Sequence, residues 1–222
     1  LFPYTTLFRS LLVVPAQRTR EILTRLKPSL APETVLVMCA KGIEQESGRL
    51  MSEVIREVTP DNPLAILSGP NFAREIAVGL PAAATLAISD REIGNKLVQA
   101  IGLPTFRPYL TDDIIGAQIG GAVKNVLAIA CGVVFGGKLG ENARAALITR
   151  GMAEILRLGE KLGARAETLM GLSGLGDLVL TCSSPASRNF SLGAALGQGN
   201  ILGEILQQRT AVTEGVYTAS AI

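Results

Sequence analysis

The chain has 222 residues, 48% of them hydrophobic, which is enough for one or two domains with a buried core. A formal net charge of +2, with 4% aromatic residues and no Trp, argues against a nucleic-acid face and against a platform for stacking bases or sugars. Cys39, Cys131 and Cys182 are odd in number and widely spaced, so they read as reduced thiols of an intracellular protein; without any His a zinc site is not expected.

Residues 1–10 (LFPYTTLFRS) lack an initiator Met, a strand or helix period and a signal-peptide layout, and read as a non-native remnant outside the fold. From Leu11 the pattern alternates. Leu11 to Val14 is a short apolar run closed by Pro15, and Thr19 to Leu30 has helical spacing. Val35 to Cys39 and Leu50 to Val58 repeat the strand and helix. Leu64 to Leu67 with Asn71 to Val78, then Ala84 to Ile88 with Arg91 to Ile101, do so again before a last run at Phe106 to Leu110. Strands without polar alternation, separated by amphipathic helices, predict an α/β domain over 11–110 built on a parallel sheet covered on both faces.

Residues 111–222 predict an all-helical second domain. Asp112 to Phe135 reads as one helix that is apolar nearly all round, Asn142 to Leu162 as a second, and shorter helices follow to Ile222, where the pattern breaks off as if inside a longer chain. The run from Ile114 to Gly137 is long enough to span a bilayer and carries Gly116-xxx-Gly120 and Gly132-xxx-Gly136. Against a span, Lys124 and Asn125 fall at its middle and no second such stretch exists, so a buried central helix is expected. Gly132-x4-Gly137-Lys138 imitates a phosphate-binding loop, but Leu139 stands where Ser or Thr would hold magnesium and a helix precedes it; it reads as a helix-ending glycine pair. Asn189-Phe190-Ser191 matches a glycosylation acceptor, without meaning in an intracellular chain.

Lys124 is the most informative residue, because a cation in an apolar run is costly to bury unless something needs it. It is either a surface Lys lying along apolar neighbours or a site residue; the bare backbone of Gly120-Gly121-Ala122 and the amide of Asn125 fit a site that receives a small polar ligand. With no His, proton transfer near neutral pH falls to Lys, Asp, Glu, Tyr or Cys, and a buried Lys can exchange protons.

Four further clusters carry candidate chemistry. Ala40-Lys41-Gly42 follows a strand end, where open parallel sheets bind ligands, or is a solvated loop. In Ser68-Gly69-Pro70-Asn71-Phe72-Ala73-Arg74-Glu75, Asn71 sits as a helix N-cap beside bare Gly69, for an anion or for capping alone. Asp177 and Thr181, four apart after a glycine-rich stretch, share a helical face, although Asp177 also suits an N-cap. Ser187-Arg188-Asn189 suits a phosphate or carboxylate, or is plain surface.

Six segments, GGAVKNV, CAKGIE, SGPNFARE, NARAALITRG, GLSGLGDLVLTC and SRN, resemble the bacterial-type NAD(P)-dependent glycerol-3-phosphate dehydrogenases from about Leu11 to the last residue. The resemblance implies a partial Rossmann-like parallel sheet followed by a helical substrate domain like the C-terminal domain of 6-phosphogluconate dehydrogenase. It implies a cytoplasmic homodimer that reversibly reduces dihydroxyacetone phosphate to sn-glycerol 3-phosphate with NADPH or NADH, for glycerophospholipid synthesis, with no metal. Lys124 would donate the proton, Lys41 would support the developing alkoxide between cofactor and substrate, and Asp177 with Thr181 would orient Lys124. Gly69, Asn71, Asn125, Ser187, Arg188 and Asn189 would hold the substrate; Ala73, Val212 and Glu214, with Lys41 and Arg188, would meet the cofactor.

Two departures stand out. Asn71 replaces the Thr or Ser usual in the family, and no G-x-G-x-x-G follows a strand, the family's fingerprint lying upstream of the first strand here. The chain by itself is therefore expected to bind nicotinamide cofactor poorly. Another two-domain dehydrogenase of the 6-phosphogluconate or hydroxyacid type, and a non-enzymatic binding module, remain as alternatives.

Overall fold

The computed structural model describes residues 9–209 and 212–221. Five strands, β1 (Arg9–Leu12), β2 (Val35–Met38), β3 (Leu64–Ser68), β4 (Ala82–Ala87) and β5 (Phe106–Thr111), lie in one sheet in chain order. β1 begins two residues before the expected Leu11: Arg9 and Ser10 pair with Val35 and Leu36, so these two residues belong to the sheet. The rest of the supposed remnant, Leu1 to Phe8, lies outside the described residues, as does Ile222.

The sheet is mixed where a parallel one was expected. β1, β2 and β3 run parallel and β4 and β5 run parallel to each other, but β3 and β4 are antiparallel. The cause is local. α3 (Ala73–Ala77) has five residues instead of the eight expected from Asn71 to Val78, and Gly79, at φ +79°, turns the chain straight back beside β3. A crossover to a parallel neighbour is usually made by a full helix, which the five-residue α3 does not supply.

The sequence pattern follows from the layering. Leu36 and Met38 of β2 pack with Leu23 of α1 (Thr19–Leu26) and Ile55 of α2 (Met51–Val58), while Val35 and Val37 pack on the other face with Leu97 of α4 (Arg91–Ile101). All four β2 side chains are buried, hence no polar alternation.

The helical part is organised around α5 (Ile114–Gly136), which contacts α6 (Glu141–Leu162), α8 (Asp177–Ser183), α9 (Arg188–Gly197) and α11 (Glu214–Ala219). α7 (Ala166–Leu169) and α10 (Leu202–Gln207) complete it. α5 is long and apolar enough to cross a bilayer by length and composition alone. Its small residues, however, are spent on protein neighbours. A Cβ at Gly132 would stand 2.1 Å from the Phe190 carbonyl oxygen, and one at Gly193 would stand 1.9 Å from that of Ile129, so α5 and α9 meet backbone to backbone. Gly132 is thus a packing residue within α5, and only Gly137 of the supposed helix-ending pair caps the helix.

Candidate active site

The C-terminal ends of β1, β2 and β3 open toward the middle of α5. Lys124, 6% exposed, projects from that helix, and its Nζ donates to Asp177 Oδ1 at 2.7 Å and to Thr181 Oγ1 at 2.7 Å. Lys41, three residues past β2, reaches the same carboxylate from the sheet side, donating to Asp177 Oδ2 at 2.5 Å and to the Gly69 carbonyl at 2.8 Å. The Lys41 stem passes over Gly121, where a Cβ would lie 3.3 Å from its Cγ and Cδ and 2.9 Å from Ser68 Oγ. An ammonium has three donors, so each lysine retains one N–H beyond those it gives to the described residues.

Asp177 is placed by a π-helical turn, Leu172–Gly176, that runs directly into α8. Its side chain is spent on the two lysines and caps nothing; Thr181, one turn along, donates to its Oδ1 at 3.3 Å. Burial and the repulsion of Lys41 together pull the Lys124 pKa down to about 8, against the attraction of Asp177. Lys124 is therefore neither a snorkelling surface residue nor a fixed charge. The nearby Cys39 thiol is pushed up to about 11 by burial, so it stays protonated near neutral pH.

Asparagines continue the network. Asn125 Nδ2 donates to the Lys41 carbonyl at 3.2 Å, Asn189 Nδ2 donates to Asn125 Oδ1 at 2.9 Å, and the Gly215 N–H donates to Asn189 Oδ1 at 3.0 Å. Ser187 caps α9, accepting from the Phe190 N–H at 3.2 Å, which sets Arg188 and Asn189 on the first turn. The Arg188 guanidinium makes no hydrogen bond or ion pair among the described residues and attracts the Glu214 carboxylate, whose pKa burial raises. Glu214 Oε1 accepts from the Ala16 N–H at 3.0 Å, while its Oε2 is buried without a partner.

These groups surround one cavity of about 380 Å³. Lys41, Asn71, Lys124, Asn125, Asp177, Thr181, Ser187, Arg188, Asn189, Val212 and Glu214 all line it. Gly69 stands one hydrogen bond behind Lys41, and Ala73 lies exposed at the start of α3, away from the lining. Asn71 is not the N-cap that was expected: Phe72 holds that position, and Asn71 Nδ2 donates to the Ala83 carbonyl at 3.2 Å with Oδ1 buried and unpartnered. Sequence reasoning missed Val13, Val14 and Pro15 after β1, as well as Phe72, which form an apolar side of the cavity. The strand-end rule applied to Lys41 would have found the first three.

A larger cleft of about 800 Å³ opens between β4, β5 and α7. Its lining is mostly apolar, and its one cation, Arg165, is engaged by Thr111 Oγ1 at 2.9 Å and by Asp112. Chemistry therefore points to the smaller cavity. Among the described residues no three His, Cys, Asp or Glu side chains cluster as a metal site would require.

A Rossmann-type sheet whose strand ends face a helical domain, with titratable side chains converging between them, defines a two-domain dehydrogenase fold. Residues 9–94 match the model of the NAD-dependent glycerol-3-phosphate dehydrogenase N-terminus and residues 113–222 that of the C-terminus, and the chain belongs to this family. It is 61% identical over 212 residues to the glycerol-3-phosphate dehydrogenase (NAD(P)+) of Rhodospirillum rubrum, covering 96% of this chain and 61% of that one. The protein of the same description from Parvibaculum lavamentivorans is 57% identical, with 96% and 64% covered. The crystal structure of glycerol-3-phosphate dehydrogenase from Coxiella burnetii superposes with a TM-score of 0.94 at 42% identity, covering 98% of this chain and 67% of that one. The chain spans about three fifths of the length of the curated relatives it matches.

Proposed function

We propose that the protein to which this chain belongs reduces dihydroxyacetone phosphate to sn-glycerol 3-phosphate, reversibly, with a nicotinamide cofactor. The observation that carries the reading is the carboxylate of Asp177 shared by two lysines, each with one N–H unused among the described residues beside the same cavity. A ketone accepting hydride needs a proton for its oxygen and positive charge while the alkoxide develops. Lys124, its pKa lowered toward the working pH, is the proton donor, and in the reverse direction its neutral amine takes the hydroxyl proton. Lys41, held by Asp177 and Gly69, supplies the charge.

Arg188 suits the phosphate of the substrate, since its planar fork of donors is not used within the described part of the protein. Binding that remote group aligns the carbonyl with the lysine pair. The nicotinamide ring supplies the hydride. The residues fit such a ring: Val13, Pro15, Phe72 and Val212 give an apolar wall, and the orphaned Glu214 Oε2 and Asn71 Oδ1 are acceptors waiting for donors. Val212 and Glu214 would hold it, with Lys41 and Arg188 between it and the substrate. The family resemblance further supports a cytoplasmic homodimer serving glycerophospholipid synthesis.

The test uses the protein carried to the length of its relatives, with NADPH oxidation followed at 340 nm on addition of dihydroxyacetone phosphate. Lys124→Ala is expected to lower turnover by about 10²- to 10⁴-fold while calorimetric affinity for glycerol 3-phosphate changes far less. Near-normal turnover in that variant removes Lys124 as the proton donor.

A further inference from the structure

Asn125 and Asn189 are both buried, and both amides are engaged at each end by the protein itself. The bonds form one line. It starts at the Lys41 carbonyl in the sheet domain, passes through Asn125 on α5 and Asn189 on α9, and reaches the Gly215 N–H on α11. The residue before Gly215 is Glu214, whose carboxylate returns to the sheet domain at the Ala16 N–H. Lys41 and Glu214, at the two ends, line the cavity; Gly215 does not.

Gly215 is sterically fixed in this line. A Cβ there would lie 2.6 Å from the Asn125 carbonyl oxygen and 2.7 Å from Asn189 Oδ1, so α11 sits directly on the two asparagines. An amide that donates and accepts together polarises both bonds, and buried bonds of this kind resist stretching more than exposed ones. A displacement of α11 is therefore passed to the Lys41 backbone rather than absorbed by solvent.

We infer that Asn125, Asn189 and Gly215 are positioning residues that couple occupation of the Glu214 end of the cavity to the placement of Lys41. This rests on the dehydrogenase reading above, in which cofactor meets Glu214 and substrate meets Lys41. Cofactor then does more than deliver hydride: by holding Glu214 it tightens the lysine that receives the substrate oxygen. Coupling of this sort appears as a change in the affinity of one ligand caused by the other.

The experiment measures glycerol 3-phosphate affinity by calorimetry with and without saturating NADPH, a pair that cannot react, in the protein carried to the length of its relatives. NADPH is expected to tighten glycerol 3-phosphate by about 5- to 50-fold in the parent protein. In Asn189→Asp and Gly215→Ala that ratio is expected to fall below about twofold, because the line is cut at its middle and at its far end. Ser52→Ala, which removes another buried bond, from Gln118 Nε2 at 2.9 Å, is the control for general damage and keeps the parental ratio. A parental ratio near one, or a full ratio in either folded variant, overturns the inference. Should a variant fail to fold, amide exchange in the 222-residue chain still decides: Gly215 is protected, and a Gly215 amide that exchanges as freely as an exposed one overturns the line itself. Coupled binding without turnover of dihydroxyacetone phosphate overturns the proposed reaction and leaves the coupling standing.

Discussion

The sheet half and the helical half each contribute one lysine to the same carboxylate, and they hold it by different means. Lys41 sits on a loop past a strand end, with its side chain 21% exposed and a backbone carbonyl as its second partner. Lys124 sits in the middle of a 23-residue helix, with its side chain 8% exposed and a hydroxyl as its second partner. The loop lysine can reach water by rotating its stem. The helix lysine has nowhere to go, so its environment acts on its proton instead of its position. One fold thus makes a lysine that can move and a lysine whose proton can be given up.

Removing the shared carboxylate is the strongest way to separate the two. In Asp177→Asn the Lys41 ammonium is expected to swing outward, while Lys124, left buried beside an amide, is expected to lose its proton. Leaving a buried charge uncompensated costs about 3–5 kcal/mol; proton loss from Lys124 replaces that cost and grows more expensive as pH falls, so the urea midpoint of the 222-residue chain should fall most toward about pH 6. A loss below about 1 kcal/mol would mean that both lysines escape to solvent equally, and the contrast between the halves would collapse.

The same contrast explains what was legible beforehand. Lys124, Lys41, Asp177 and Thr181 stood out because a cation in an apolar run, a cation after a buried strand and an i, i+4 polar pair are each visible along one segment. That Asp177 serves both lysines is not visible that way, since it joins residues 136 and 53 positions apart. Asn71 was misread for a related reason: as a residue before a helix it suits a cap, but α3 starts at Ala73 with Phe72 in the N-cap position, and the Asn71 side chain turns to the Ala83 carbonyl on β4 instead. The antiparallel β4 escaped notice because a buried strand shows the same apolar run in either direction. Glycine spacing in α5 announced close packing correctly, and left open whether lipid-embedded helices or α9 supplied the partner.

Packing gives a second, smaller test. Gly193→Ala places a methyl group 1.9 Å from the Ile129 carbonyl oxygen, against backbone that cannot move without separating α9 from α5. Overpacking of this kind costs about 1–3 kcal/mol, seen as a lowered melting temperature of the 222-residue chain. Gly69→Ala meets the Ala84 Cα at 2.9 Å and the Ala83 carbonyl at 3.0 Å, a milder intrusion into the sheet half. Its melting temperature should fall less. The reverse order would show that the sheet half is the less tolerant one.

The pH dependence of stability isolates Lys124. Its pKa is about 8 in the folded chain and the ordinary 10.5 when unfolded, so between those values the unfolded state binds more protons. Stability then rises with pH across that window, because the cost of keeping a buried ammonium is fully present below about pH 8 and is relieved as pH approaches 10.5. The quantity to compare is the difference between the parent chain and Lys124→Met in urea unfolding from pH 7 to 10. The variant is expected to lose the upward slope contributed by Lys124, whereas Lys41→Met, which removes the repulsion but leaves the burial, is expected to keep a reduced part of it. Equal slopes in parent and Lys124→Met would mean that the helix lysine holds its proton as firmly as an exposed one, and the two lysines would then differ only in their tethers.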